Sequence, residues 1–154
     1  MGASEASVGK ALDWGILEGS VGPRVRLLRN ALAARSIAVS APHELPTGSL
    51  TVLALIAGNP GSSQTALARR AGLNKSALVG IVDQLEQRGL VERDRAAADR
   101  RRYQISVTTD GERAMHALFA AVTREEGPVR DALGKRDMLA LLELLDRAIE
   151  ALAN

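Results

Sequence analysis

The sequence predicts a mainly helical protein that carries one small β-hairpin. Apolar residues recur at helical spacing along most of the chain, and only one short segment alternates as strands do. Aromatic residues are scarce, because Trp14, Tyr103 and Phe119 are the only three among 154 residues. The core must therefore be built from Ala, Leu, Val and Ile, a composition typical of packed helices.

The N-terminal third predicts two helices separated by prolines. The first begins at residues 20–23, where Ser or Gly can cap and Pro is tolerated in the first turn. It ends before Pro42 and Pro46, because a residue that precedes proline is pushed out of the helical region. Residues 47–49 begin the second helix, and the Asn-Pro-Gly turn at 59–61 ends it.

Residues 63–109 are the most informative segment. Ser62 or Ser63 can cap a third helix that runs to about Arg70, and after a tight corner at 71–73 Asn74 can cap a fourth, which Gly89 ends. Strand patterns follow at 90–93 and 103–107, with an arginine-rich loop between them. This order predicts a winged helix-turn-helix, in which one helix enters the DNA major groove and the hairpin reaches the adjacent backbone or minor groove.

The fourth helix is the predicted reader of DNA bases. Its buried stripe of Leu78, Ile81, Val82 and Leu85 leaves eight positions on or near the exposed side: Asn74, Lys75, Ser76, Ala77, Val79, Gly80, Asp83 and Gln84. Lys75 and Ser76 suit phosphate contacts, whereas Ala77 and Val79 suit thymine methyl groups. Few of these side chains can make bidentate base contacts, so we expect much of the specificity from DNA shape and from the hairpin. We also assign Ser63, Gln64 and Thr65, at the start of the third helix, to the DNA interface.

The loop at 94–102 supplies the second group of predicted DNA contacts. An isolated basic cluster is usually a solvated surface, but this one joins two strand patterns directly after a helix-turn-helix pattern. We expect Arg100 or Arg101 to enter a narrow minor groove, with Arg102 beside them. Asp99 is badly placed for phosphate contact, so it is expected to orient a neighbouring arginine.

The C-terminal segment predicts helix pairing. Thr108 or Thr109 can cap a fifth helix from about Asp110, and Gly127 with Pro128 interrupts it. After this interruption apolar residues step by four, three, four and three: Met138, Leu142, Leu145, Ile149 and Leu152. Together with the apolar N-terminal arm, this seam suggests a homodimer interface. Packing within one chain is the alternative.

Composition and residue inventory weigh against catalysis. The chain has no cysteine, which removes disulfides, cysteine-ligated zinc and thiol chemistry, and His43 and His116 are its only histidines. We therefore expect no enzyme activity, no metal site and no cofactor. No apolar run is long enough to span a bilayer and no signal peptide is visible, so we expect a cytoplasmic protein without a membrane partner.

At residues 20–111 the sequence resembles the multiple antibiotic resistance regulator (MarR) family. The resemblance is carried by Leu67-Ala68 with Leu73, by the segment LEQRGLVER at 85–93, by Asp99-Arg100-Arg101, and by VTTDG at 107–111, which matches the family's LTxxG. It implies a homodimer with interlocked N- and C-terminal helices whose two winged domains bind a pseudo-palindromic operator. It makes Arg101 the wing arginine and Asp99 its partner. The chain departs from the family at Val79 and Gly80, where Thr and Arg are common.

The resemblance also predicts a functional division of the chain. We expect an N-terminal arm and dimerisation helix at 1–46, the DNA-binding domain at 47–109 and C-terminal dimerisation helices at 110–154. The expected function is a ligand-responsive transcription regulator, most simply a repressor that a small aromatic acid or its coenzyme A thioester releases from double-stranded DNA. Charge and placement nominate four effector-binding residues: Trp14, Arg24, Arg29 and His43. The alternative is an architectural or protein-interaction module without a ligand switch.

Overall fold

Six α-helices and one two-stranded sheet make up the part of the chain that the structure describes. The structure is a computed structural model that describes residues 13–96 and 99–153, with the backbone alone for the described part of 94–103. In chain order the elements are α1 (Val21–Ser40), α2 (Ser49–Gly58), α3 (Gln64–Arg70), α4 (Lys75–Gln87), β1 (Val91–Ala96), β2 (Asp99–Val107), α5 (Thr109–Glu125) and α6 (Gly127–Leu152). The predicted class, mainly helical with a small hairpin wing, is confirmed.

The predicted side-chain caps of α3 and α4 are present. The Oγ of Ser63 accepts a hydrogen bond from the backbone N–H of Ala66 at 3.2 Å, and Oδ1 of Asn74 accepts one from Ala77 at 2.8 Å. The glycine that follows α4, Gly89, has a φ of +68°, a left-handed conformation that side chains rarely adopt. Local sequence therefore fixes where both helices of the helix-turn-helix begin and how α4 ends.

The hairpin is longer than the sequence predicts. β1 and β2 pair antiparallel, with Val91 opposite Val107 and Arg93 opposite Ile105. The predicted strands at 90–93 and 103–107 were too short, because the ladder continues to Ala96 on one side and starts at Asp99 on the other. Consecutive charged residues at these positions hide the apolar–polar alternation that marks a strand in a sequence. Backbone hydrogen bonding does not require that alternation, so the ladder extends past the recognisable pattern.

One core joins the helix-turn-helix to the base of the hairpin and to α5. It contains Val39 of α1, Val52, Leu53 and Ile56 of α2, Leu67 and Ala68 of α3, Leu78, Ile81, Val82 and Leu85 of α4, Val91 and Ile105 of the hairpin, and Leu118 of α5. The buried stripe predicted for the fourth helix is confirmed residue by residue. Because α4 contributes four buried side chains, its opposite face is held outward.

The VTTDG motif joins α5 to the hairpin. The Thr108 hydroxyl donates to the carbonyl of Gly89 at 2.7 Å and accepts from the N–H of Gly111 at 3.0 Å, which caps α5. A Cβ placed on Gly111 would lie 1.9 Å from the carbonyl oxygen of Leu90. Only glycine permits this approach, so the motif sets how closely α5 packs on the winged unit, which comprises α2, α3, α4 and the β1–β2 hairpin.

The terminal helices leave large apolar surfaces uncovered. None of the 26 residues of α6 is buried, and Ile149 and Leu152 are 55% and 89% exposed. Val21 and Val25 of α1 are exposed in the same way, and Ile16 in the turn before it is fully exposed. Such surfaces are unstable in water unless another surface covers them. No helix of residues 13–96 and 99–153 has the length and hydropathy to cross a membrane.

The C-terminal helices are divided twice. The interruption predicted at Gly127 and Pro128 coincides with the short break between α5 and α6. A second break was not predicted: Gly134 has a non-helical backbone inside α6, with φ 70° and ψ 173°. The apolar seam that begins at Met138 therefore lies wholly on the part of α6 that follows this break.

Candidate nucleic-acid interface

The N-terminal half of α4 faces outward. Lys75, Ser76, Ala77 and Gly80 are exposed, and Val79 is half-buried. The first backbone N–H groups of any helix have no partner inside it and favour anionic ligands such as phosphate. Lys75 adds a positive charge at this end. The exposed half of α4 is therefore suited to approach a phosphodiester backbone.

The capping residues of α3 and α4, and those next to them, are also accessible. Ser63, Thr65 and Asn74 are exposed, and Gln64 is half-buried. In capping their helices, Ser63 and Asn74 use their side-chain oxygens as acceptors. The O–H of the serine and the N–H groups of the asparagine carboxamide can still donate hydrogen bonds. The two helix starts are consequently able to donate hydrogen bonds to phosphate oxygens.

The predicted wing residues lie on the hairpin. Asp99, Arg100, Arg101 and Arg102 belong to the first part of β2, but their side chains lie outside the described residues. Their assigned contacts with DNA stay predictions. The backbone places these four residues on β2. This strand pairs with β1, which follows α4 in the chain.

Arg93 links the hairpin to α4, and the sequence analysis missed this contact. Its Nη2 lies 2.5 Å from Oδ1 of Asp83 and its Nη1 lies 2.7 Å from Oε2 of Glu86. Asp83, expected on or near the exposed side of the helix, is half-buried in this contact. The available signal was the pair of carboxylates three residues apart on α4, close in sequence to an arginine in the following strand.

A cavity of about 180 Å³ lies between α1, α2 and α5. Its lining residues are Leu32, Arg35, Ser36, Val39, Ser40, Gly48, Leu50, Thr51, Leu118, Val122, Glu125 and Glu126. Nη1 of Arg35 donates to the backbone carbonyl of Glu125 at 3.0 Å and lies 3.3 Å from its carboxylate. Glu126 is paired with Arg130 at 2.9 Å. The cavity is thus apolar in its interior, with charged groups paired at its edge.

Of the four residues nominated for effector binding, the structure brings Trp14 and Arg24 together and places Arg29 and His43 elsewhere. Arg24 lies over the ring of Trp14, with its guanidinium carbon 4.6 Å from the ring centroid. Arg29 borders an open apolar groove of about 430 Å³ that adjoins the cavity. His43 is exposed in the turn after α1, and its carbonyl accepts from Arg88 at 3.5 Å. None of the four lines the 180 Å³ cavity, so their role in binding stays a prediction.

Comparison with known proteins identifies the family. Residues 43–102 match the MarR family model. The chain is 35% identical over 136 residues to a Thauera aromatica protein whose name gives it as a transcriptional regulatory protein for the hcr operon, and the alignment covers 86% of this chain and 81% of that relative. The chain belongs to the MarR family.

Solved structures similar to this MarR-family protein include DNA and ligand complexes. The repressor CouR bound to a 23-mer DNA duplex superposes with a TM-score of 0.76 at 29% identity, covering 90% of this chain and 99% of CouR. CouR from Rhodococcus jostii RHA1 bound to p-coumaroyl-CoA gives 0.73 at 28% identity, covering 89% and 94%. NadR in complex with 4-hydroxyphenylacetate gives 0.72 at 26% identity, covering 84% and 92%.

These likenesses agree with the geometry. This MarR-family protein is a transcription regulator with a winged helix DNA-binding fold, and its relatives are regulators, not enzymes. In that fold α4 is the recognition helix and the β1–β2 hairpin is the wing. MarR regulators are dimers, which is consistent with the apolar faces that α1 and α6 leave exposed.

Proposed function

We propose that this MarR-family protein is a cytoplasmic, non-catalytic repressor that binds a pseudo-palindromic operator as a homodimer and leaves it when a small organic acid binds. The observation that carries the proposal is the exposed N-terminal half of α4 beside an arginine-bearing hairpin. Each copy supplies one recognition helix, and two helices reach successive major grooves when they lie about 34–36 Å apart. The likeness to DNA-bound CouR supports this mode.

The proposal divides the chain by function. Residues 47–109 hold DNA, and residues 1–46 with 110–154 pair the two copies. The division is supported by burial: the side chains of α2 to α4 form most of the core, whereas α6 buries none.

On DNA, we assign base and phosphate contacts to two surfaces. The first comprises Ser63, Gln64, Thr65, Asn74, Lys75, Ser76, Ala77, Val79 and Gly80. The second comprises Asp99, Arg100, Arg101 and Arg102. Because Val79 and Gly80 offer no hydrogen-bonding side chains, the wing must supply a large share of the affinity, with Arg101 in the minor groove and Asp99 orienting it.

A gel shift on the chain's own upstream intergenic DNA tests this assignment. A discrete complex that is lost when the palindrome is scrambled is expected. Arg101→Ala should weaken it by about 1–3 kcal/mol while the dimer stays intact. Salt-sensitive binding to any duplex would instead support the alternative, an architectural module without an operator. A dimer that dissociates in Arg101→Ala would contradict the wing assignment.

For the effector, we propose an aromatic carboxylate that enters the cavity between α1, α2 and α5. Arg35 is the one cationic side chain among the described residues that line the cavity. In this structure its guanidinium is paired with the carboxylate of Glu125. A carboxylate ligand would compete with Glu125 for Arg35 and loosen the contact between α1 and α5. The cavity is smaller than the roughly 300–1,000 Å³ of drug-sized sites, so a coenzyme A thioester would leave its nucleotide outside, in the adjoining groove beside Arg29.

The release mechanism follows from where the cavity lies. Its walls come from the dimerisation helices α1 and α5 and from α2 of the winged unit, so a ligand there favours a spacing of the two winged units that no longer fits successive major grooves. The ligand complexes of CouR and NadR support an aromatic effector. The effector can shift the equilibrium only by its differential affinity for the two spacings.

Isothermal titration with 4-hydroxyphenylacetate and with p-coumaroyl-CoA tests the effector site. Arg35→Ala should lower the affinity for the ligand that binds by at least about tenfold, because a charged hydrogen bond is lost. The matched set is Arg24→Ala, Arg29→Ala and His43→Ala. If these three variants lose ligand binding while Arg35→Ala keeps wild-type affinity, the effector site lies at the residues nominated from the sequence. Operator DNA that neither ligand releases would remove these two compounds as effectors.

A further inference from the structure

Arg93 occupies an unusual position at the base of the wing. It lies on β1, and its guanidinium divides between two carboxylates one helical turn apart on α4: Nη2 to Asp83 at 2.5 Å and Nη1 to Glu86 at 2.7 Å. Because the two terminal nitrogens of one planar guanidinium bind two separate carboxylates, they fix both the distance and the rotation between the strand and the helix. A single ion pair would fix only the distance.

Burial separates Arg93 from the other arginines of the described residues that form ion pairs. The side chain of Arg93 is 23% exposed, less than any other arginine in them. Arg70 and Asp146, for comparison, are 64% and 62% exposed and 3.9 Å apart. Exposed pairs are screened by water and hold their partners weakly, whereas partly buried charges interact more strongly.

The third side-chain nitrogen of Arg93, Nε, bears on the energetic cost of burying this residue. Its Nε is buried and has no hydrogen-bond partner among the described residues. Burying an unpaired N–H is unfavourable, so packing alone would favour an apolar residue here. The two contacts with α4 are the compensation that the structure shows.

The consequence concerns how the two DNA-reading elements are held. The recognition helix and the wing are joined in the chain only through residues 88–90, yet both must meet DNA in one relative orientation. We propose that Arg93 is a positioning residue for operator binding, which fixes the wing to the recognition helix before DNA arrives. Its charge is engaged by Asp83 and Glu86, so it is not a phosphate contact. The inference rests on the proposed operator binding.

The two contacts of Arg93 with Asp83 and Glu86, which we call the clamp, are tested first in the absence of DNA, so that the result does not depend on operator binding. Hydrogen exchange should become faster in β1 and β2 of Arg93→Ala, while α4 keeps its protection. Arg113→Ala is the matched control, because it removes an exposed arginine paired with Asp110 on α5 and links no two elements. Unchanged exchange in the hairpin of Arg93→Ala would overturn the clamp.

Operator titrations over a salt series then test its role in binding. Arg93→Ala should bind about tenfold more weakly, a coupling typical of one ion-pair network, and Arg93→Lys should stay weak because one amine cannot bridge two carboxylates. The dependence of log K on log salt should keep its slope, since no phosphate contact is lost. A slope smaller by about one would make Arg93 a phosphate contact and overturn the proposal.

A charge-only explanation predicts a different result in one further variant. If Arg93 merely neutralises α4, replacing Asp83 by Asn and Glu86 by Gln in the Arg93→Ala background should restore wild-type affinity. The clamp predicts that this triple variant remains about tenfold weak. Restored affinity would overturn the proposal, and circular dichroism confirms the fold of each variant.

Discussion

Helices α4 and α6 are both amphipathic, but they cover their apolar residues in different ways. Leu78, Val82 and Leu85 of α4 have no measurable exposure, because the rest of the winged unit surrounds them. α6 is twice as long and buries nothing, with Leu142 and Ile149 about half exposed. The winged unit completes its core within one chain, and the terminal helices need a second copy.

The difference shows what a periodic pattern can and cannot predict. A stripe at helical spacing indicates that one face must leave water, but it does not say what covers that face. Elements close to α4 in the chain supply its cover, since α2, α3 and the hairpin all lie within 26 residues of its ends. In the part of the chain that the structure describes, no such neighbour buries the seam of α6.

The largest expected effect comes from charging the seam. Leu142→Glu with Ile149→Glu should separate the dimer, because each carboxylate would be buried without a partner at a cost of about 3–5 kcal/mol. In the separated chain both side chains lie at the surface, so the helical content should persist. Sedimentation velocity measures the mass, and far-ultraviolet circular dichroism measures the helix.

Arg147→Glu is the control for that variant. It changes charge on the same helix at a position opposite the seam and is expected to leave the dimer intact. If the doubly charged variant still sediments as a dimer, the interface lies elsewhere, and α6 does not need a second copy to cover its seam.

The second effect belongs to the core of the winged unit. Leu85→Ala should lower the free energy of unfolding by about 2–5 kcal/mol, since a fully buried leucine leaves a cavity. Val79→Ala, on the same helix and half-buried, should cost less. Urea denaturation at one protein concentration compares them, and equal losses would contradict the burial that separates the two faces of α4.

The smallest effect concerns the joint between the winged unit and α5. Gly111→Ala should destabilise by about 1–3 kcal/mol, because its Cβ would collide with the carbonyl of Leu90. Gly80→Ala, where a Cβ meets nothing within 4 Å, should instead stabilise α4 by up to about 1 kcal/mol. Opposite signs in thermal melts are expected, and the same sign for both would refute the close approach.

Features set by neighbouring residues were predictable from the sequence. Ser63 and Asn74 cap helices because a side-chain oxygen reaches N–H groups two or three residues ahead, a purely local matter. The buried stripe of α4 follows from spacing alone. The motif at 107–111 was recognisable by resemblance, but its physical reason, Gly111 against the carbonyl of Leu90, required coordinates.

Features that depend on contacts between elements were not predictable. Asp83 sits where an isolated helix would expose it, and only the path of β1 brings Arg93 to it. The cavity combines residues of three helices, which is why Arg35 of α1 was not nominated from the sequence. The break at Gly134 lacks the proline that marked the first interruption, and a single glycine within a helical pattern is a weaker signal than a Gly-Pro pair.

Two copies, paired through their terminal helices, should each present one winged unit to a single operator. Sedimentation of the protein with an operator duplex, at a concentration well above the dissociation constant, measures this directly. We expect a complex of the duplex with two chains of 16.3 kDa, and we expect it to be lost when one half-site is scrambled. A complex with one chain, or equal binding to one half-site alone, would contradict it.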